Sequence, residues 1–284
     1  MSDTDVDGIV ELRVAEWFSE NVPAAVLPLR YELIAGGHSN LTYRVRDASE
    51  ASYVLRRPPL GSVLATAHDM AREHRIISAV HITDVPVPET LGVCEDVNVN
   101  GAPFYVMAYV NGEVLHSDVE ASQIPISERI DLSRRVAEVL AELHSIEPDL
   151  IGLGDLAKRE DYLGRQIRRW TRQWEQSKTR ELDTMERVQM LLEDQKPTQI
   201  GSTIVHGDYR LGNMLSRGGD IRAVLDWELC TLGDPLADVG YLLNNWVDPD
   251  EAPAGSSAPT LAGNFALSLI HISEPTRLRR ISYA

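Results

Sequence analysis

Residues 205–228, VHGDYRLGNMLSRGGDIRAVLDWE, place His206-Gly207-Asp208 ahead of Asn213 and Asp226 in one short stretch. Moving a γ-phosphoryl group from a nucleotide is mainly a matter of positioning and of neutralising charge spread over phosphate oxygens. A carboxylate must orient the acceptor hydroxyl, and Asp208 suits that task. A few hard oxygens must hold Mg2+ while leaving coordination positions for phosphate and water, and Asn213 and Asp226 suit that one. Thr203–Val205 and residues 221–225 read as strands that run into the two aspartates, so both acids sit at strand ends facing one cleft.

The elements that must carry these groups follow from periodicity. Ile9, Val10, Val14, Trp17 and Phe18 recur at helical spacing over residues 8–20, and Pro23 closes that helix. Three β-like runs follow at residues 31–35, 41–46 and 52–57, separated by turn residues, which predicts a small antiparallel sheet. Between the first two lies Gly36-Gly37-His38-Ser39-Asn40. Its glycines let backbone N–H groups approach phosphates and Ser39 can add a hydrogen bond, although an ordinary hairpin turn fits the same residues. A helix is predicted at residues 68–80. Val85-Pro86-Val87-Pro88 and a turn at Asn100-Gly101 then lead to a strand at residues 104–110. Helices dominate beyond it. Residues 127–145 turn Ile130, Val136, Val139, Leu140 and Leu143 to a core, with His144 in a structural place on that face. Residues 158–196 are charge-dense yet carry Tyr162, Trp170 and Trp174, as a charged helix pair with buried aromatics would.

Protein kinases carry H-R-D-x-x-x-x-N and a later D-F-G; the corresponding residues here are His206-Gly207-Asp208, Asn213 and Asp226-Trp227-Glu228. Gly207 and Trp227-Glu228 depart from that pattern. Together with GDPLADVGYLLN at residues 233–244, they resemble the aminoglycoside phosphotransferase family of small-molecule kinases, with its choline-kinase and homoserine-kinase relatives. The resemblance implies an α+β, protein-kinase-like bilobal fold. Residues 1–110 would form a nucleotide-binding lobe of antiparallel sheet plus helix, and residues 111–266 a mainly helical catalytic and substrate lobe. It implies ATP and Mg2+, with Asp208 as the catalytic carboxylate and Asn213 and Asp226 as metal ligands. Arg56 falls where kinases place the phosphate-binding lysine, and it would hold phosphates together with Gly36, Gly37, Ser39 and Asn40. Arg57 faces the other side of the strand. Glu73 is placed to hold Arg56, or is a solvated helix residue. Met107, Tyr109 and Val110 resemble the hinge that touches adenine, or form a plain core strand. His206 would orient its loop, and Asp234 and Asp238 would serve as a helix N-cap and a loop brace. In the family the 158–196 insert helps build the acceptor site, where Arg165, Arg168 and Arg169 would meet an anionic substrate such as an acyl-CoA; solvated side chains would look the same.

YVLRRPP, AHDMAREHRIISAV, APFYVMAYVNGEVL and GRQIRRWTRQW extend the likeness to kinase-like proteins fused to, or encoded beside, acyl-CoA dehydrogenases. That implies a hydroxyl on an acyl-type metabolite as acceptor, hydroxyacyl-CoA among them, and functional association with an acyl-CoA dehydrogenase. Two rival readings stand beside it. One is a hydrolase with His206, Asp208 and Asp226 as metal ligands; the other is a nucleotide-binding module without catalysis.

Composition narrows the field. At 284 residues and 43% hydrophobic content the chain can bury a core, and its formal charge of −16 argues against nucleic acid and anionic membrane as partners. No apolar run approaches the ~20 residues that span a bilayer, and residues 1–23 are acidic where a secretion signal is basic, so the expected location is cytoplasmic. Cys94 and Cys230 are expected as buried thiols. Residues 267–284 resemble one reading frame of a sequencing adapter, which predicts a non-native tail on a chain truncated near Ala266. Val239, Tyr241, Leu242, Leu243 and Trp246 are then expected to lack partners, leaving an inactive or poorly soluble fragment.

Overall fold

Alternation along one strand decides what each face of the N-terminal sheet covers. The computed structural model describes residues 6–35, 40–61, 69–248, 252 and 255–266, so the expectations for Gly36, Gly37, Ser39 and residues 267–284 lie outside the described residues. The first part of the chain runs α1 (Glu11–Asn21), β1 (Arg30–Ala35), β2 (Leu41–Arg46), β3 (Ser52–Arg57), α2 (Met70–His81), β4 (Thr90–Cys94), α3 (Val97–Asn100) and β5 (Phe104–Ala108). Its strands form one antiparallel sheet in the order β1-β2-β3-β5-β4. Successive side chains on a strand point to opposite faces. Tyr53 and Leu55 of β3 therefore join Val14, Trp17 and Phe18 of α1 in one core, while Val54 joins Ile77 of α2 in the other. Trp17 packs edge-on against Phe104, with ring centroids 4.9 Å apart. By the same alternation Arg57 enters the α1 side, where its guanidinium donates to the carbonyls of Gly8 and Asn100, and Arg56 enters the α2 side.

The rest of the chain runs β6 (Glu113–Val114), α4 (Asp118–Ser122), α5 (Ile126–His144), α6 (Tyr162–Ser177), α7 (Asp183–Asp194), β7 (Thr203–Val205), β8 (Met214–Arg217), β9 (Asp220–Val224), β10 (Thr231–Gly233) and α8 (Leu236–Asn245). Two small sheets, β6-β8-β9 and β7-β10, punctuate the helices. This is the α+β, protein-kinase-like fold that the motifs implied. Gly218 and Gly219 join β8 to β9 with φ of 63° and 75°, left-handed values that a two-residue hairpin demands and glycine supplies without strain.

Several expectations change. Leu132, not Ile130, sits in the core: Ile130 is 48% exposed, and the buried face of α5 runs through Leu132, Val136, Val139, Leu140 and Leu143. The insert is a helix pair, but Trp170 is 56% exposed and only Tyr162 of its three aromatics is buried. Leu163, Ile167, Trp170 and Trp174 recur at helical spacing along α6, but the stripe is only partly covered, and the buried aromatic, Tyr162, lies at the start of the helix. The Asn100-Gly101 turn is the end of the short helix α3, closed by Gly101 at φ 71° with its N–H on the Val97 carbonyl at 2.8 Å. The strand expected over residues 104–110 stops at Ala108, leaving Tyr109 and Val110 beyond the ladder. The face of α8 is partly covered: Leu242 is buried, and Trp246 packs against Phe265 while its indole N–H donates to the Ala266 carbonyl at 2.9 Å. Tyr241 and Leu243 remain exposed.

Candidate active site

The hairpin fixes the distance between two of the candidate residues. Asn213 immediately precedes β8 and Asp226 closely follows β9, so both lie at the open end of one ladder. The Leu225 N–H donates to the Asn213 carbonyl at 2.8 Å, locking that end. Asn213 spends its side-chain N–H groups on Asp208, reaching the carbonyl at 2.9 Å and Oδ2 at 2.6 Å. Its Oδ1 is the atom left to face a cation. Asp226 has a left-handed backbone, φ 64°, uncommon outside glycine, asparagine and aspartate, which turns the chain away from the strand.

Asp208 is placed by a buried frame. The β7 strand delivers His206, Gly207 and Asp208 into a loop whose backbone N–H groups point at Asp238. That carboxylate, fully buried on α8, accepts from His206 N and Gly207 N at 2.8 Å each, and His144 Nε2 lies 3.1 Å away. Asp238 thus takes the place of a loop brace. Asp234 lies one residue outside the helix cap, with Oδ1 accepting from Leu236 N and Oδ2 from Ile200 N, so it ties two loops together. Gly207 has φ 86°, and a Cβ there would meet the Leu229 carbonyl at 2.8 Å. Replacing Gly207 with alanine is expected to destabilise the fold by about 2 kcal/mol or more through strain and that backbone clash, measured as a lower urea midpoint at unchanged slope.

His206 excludes itself as a metal ligand. Its Nε2 sits 2.9 Å from the Leu225 carbonyl and its Nδ1 accepts from Asp208 N at 3.2 Å, so both ring nitrogens are used by backbone. Complete burial holds its pKa below the usual histidine range, consistent with a neutral ring donating from Nε2. The ring therefore joins the loop of Asp208 to the strand end before Asp226. Among the described residues, no group of three or more His, Cys, Asp or Glu side chains is placed to hold a metal ion. Cys94 and Cys230 are buried free thiols.

Arg56 stands between two carboxylates. Its Nη2 lies 2.5 Å from Asp226 Oδ1 and its Nε 3.5 Å from Glu73 Oε2. Burial alone would pull the guanidinium down; Glu73 first, then Tyr105 and Asp226, overcome that and hold it above its ordinary value. Burial pushes Glu73 up to about 7, and Arg56 offsets only part of that. Glu73 is therefore buried and not a solvated helix residue.

Arg56, Met107, Tyr109, Val110, Asn213 and Asp226 line one cavity of about 460 Å3, a volume suited to a nucleotide-sized ligand. Asp208 is not on its wall but touches it through Asn213. Asn40 and Glu73 line an adjoining cavity of about 360 Å3 with Arg72, Arg169 and Glu228. Two further contacts cross to the segment after Asp226: Asn40 Nδ2 donates to Glu228 Oε2 at 3.3 Å, and Arg72 donates to the Cys230 carbonyl at 2.5 Å. Arg72, Arg210 and Glu228 escaped the sequence reading, although Arg72 adjoins Glu73 and Arg210 lies inside the spacing from Asp208 to Asn213. Of the insert arginines, Arg168 pairs with Asp161 at 2.8 Å and Arg165 donates to the Lys158 carbonyl at 2.5 Å; only Arg169 reaches the second cavity.

Comparison with known proteins gives the same direction. The sequence profile described as the phosphotransferase enzyme family matches residues 30–264. Acyl-CoA dehydrogenase family member 10 of Mus musculus is 38% identical over 219 residues, covering 76% of this chain and 20% of that protein. The chain spans less than a third of the length of the curated relatives it matches. A Ralstonia eutropha structure provisionally named an aminoglycoside phosphotransferase superposes with a TM-score of 0.74 at 32% identity, covering 96% of this chain and 78% of that one. The streptomycin–ATP ternary complex of APH(2")-IIa, at 21% identity and TM-score 0.55 over 78% of this chain and 72% of its own, shares the fold. Among the described residues, no helix is long and apolar enough to cross a membrane. A profile match across most of the chain, with a solved relative matched over more than two thirds of its length, makes this protein a member of the phosphotransferase enzyme family.

Proposed function

We propose that the chain transfers the γ-phosphoryl group of ATP to a hydroxyl of a small molecule. The observation that carries this reading is the convergence of Asp208, Asn213, Asp226 and Arg56 at one end of a nucleotide-sized cavity, held there by a hairpin and a buried brace. The residues present fit Mg2+: Asn213 Oδ1 and the Asp226 carboxylate are hard oxygens on adjacent strand ends, and both line the cavity. When bound there, the ion supplies charge neutralisation for the phosphate oxygens. On this reading residues 1–110 hold the nucleotide and residues 111–266 the acceptor. Met107, Tyr109 and Val110 face the base. Arg56, with Glu73 behind it, faces the phosphates. The acceptor oxygen bonds to the γ-phosphorus as the bond to the bridging oxygen breaks, its electron pair leaves with ADP, and the acceptor proton passes to Asp208.

The names of the relatives support one class of acceptor. Curated proteins 32–38% identical to this chain are named as acyl-CoA dehydrogenases, which supports an acyl-type hydroxyl, hydroxyacyl-CoA included, supplied or consumed beside such a dehydrogenase. Release of ADP with a panel of hydroxyacyl-CoAs, choline and amino alcohols tests this. Acceptor-dependent ADP is the expected result; ATP binding with no ADP from any acceptor would leave a nucleotide-binding module. Replacing Asp226 with alanine is expected to abolish the magnesium dependence of ATP binding in calorimetry, since the proposed pair loses its charged member. An unchanged dependence would remove Asp226 from the metal site.

A further inference from the structure

We infer that Arg210 is a second guanidinium in contact with the transferring phosphoryl group, an assignment that rests on the phosphotransferase reading above. The charge accounting of the site calls for one. Arg56 is matched on two sides by Glu73 and Asp226. Arg44, the other arginine on the cavity wall, stacks over Tyr109 at 4.3 Å and bonds to Ser52, at the hinge end. Arg72 is committed to backbone carbonyls. Besides the Mg2+ of that reading, no side-chain cation among the described residues lies beside Asp208 to meet negative charge on the group in flight, except Arg210.

The geometry puts Arg210 at that seam. Its Nε donates to Asp208 Oδ1 at 3.2 Å, while Asn213 occupies Oδ2. Its two terminal nitrogens have no protein acceptor among the described residues, and the side chain is partly open to solvent. The planar fork lies over Gly212: a Cβ built on that glycine would meet Arg210 Nη1 at 2.3 Å and Cζ at 3.2 Å. Gly212 and Asn213 both line the nucleotide cavity, so the absence of a side chain at 212 lets the guanidinium rest on the rim between Asp208 and the phosphates. One guanidinium can hold the carboxylate through Nε and still offer two parallel N–H groups to a phosphoryl oxygen, which a lysine ammonium cannot do. Donors aimed at charge that develops in the transition state act chiefly on that state and little on ground-state binding.

The test uses the full chain with MgADP and aluminium fluoride, which mimics the group in flight with water as acceptor. In the parent, aluminium fluoride should tighten MgADP binding. Arg210→Gln should reduce that tightening by roughly 10-fold or more, with Arg210→Lys intermediate and affinity for MgADP alone within about 3-fold. Gly212→Ala gives an independent route, since its methyl displaces only the flexible end of Arg210, and it should reproduce the loss without touching residue 210. Parent-like tightening in either folded variant overturns the inference while leaving the phosphotransferase reading intact. MgADP binding with no tightening in the parent overturns both.

Discussion

Turnover of the Asp208→Asn variant is expected to fall by ~10²-fold or more, with MgATP affinity within a few-fold of the parent. The amide keeps the size of the carboxylate but cannot take the acceptor proton, so the loss falls on the transition state and not on nucleotide binding. The structure adds a second cost. Asp208 accepts from Asn213 Nδ2 on one oxygen and from Arg210 Nε on the other, and an asparagine can present oxygen to only one of them. The variant should therefore melt slightly earlier, by about 1 kcal/mol in stability. Single-turnover rates against titrated MgATP separate the two effects. Parent-like turnover with a responsive acceptor would remove Asp208 from the chemistry.

Asp238→Ala is expected to be the most damaging substitution for the fold, although Asp238 lies outside the cavity. Its carboxylate satisfies two buried backbone N–H groups and contacts His144, and alanine strands all of them at once. Breaking a buried charged cluster in this way costs about 3–5 kcal/mol, enough to lower the melting midpoint by roughly 10 °C in a chain of this size. Activity should fall with it, because the loop of Asp208 loses the anchor that aims it. Thermal unfolding followed by circular dichroism checks this. A midpoint within a degree of the parent would mean that water replaces the carboxylate and the frame is looser than drawn.

What the sequence made legible was local. Asn213 and Asp226 were paired by their spacing in the motif, and the structure supplies the reason: a two-residue hairpin with glycine at 218 and 219 joins the strands between them. Four of the five strands of the N-terminal sheet showed as β-like runs between turn residues, β4 did not, and the opposite fates of Arg56 and Arg57 follow from a period of two. The family emerged from His206, Asp208, Asn213 and Asp226 with the Gly233–Asn244 segment. What stayed hidden depends on partners far apart in the chain. Asn40 and Glu228 are 188 residues apart, and Arg72 meets a backbone carbonyl 158 residues away, a contact that no residue type advertises. The inward aromatic of α6 depends on its packed partner, whereas Leu132 was legible: it stands at helical spacing with Val136, Val139, Leu140 and Leu143, and Ile130 lies about 200° round the helix from it.

The links from Asn40, Arg56 and Arg72 to residues 226–230 also bear on timing. On one side of the cavity the chain itself runs continuously from Tyr109 to Gly112; on the other, these three side chains fasten the sheet and α2 to the catalytic loops. The cleft cannot gape unless that fastening parts first. On the phosphotransferase reading, departure of ADP, the kind of product-release step that limits many enzymes, would then depend on residues remote from the adenine, and Arg72, which lies outside the nucleotide cavity, would act as a control on residence time.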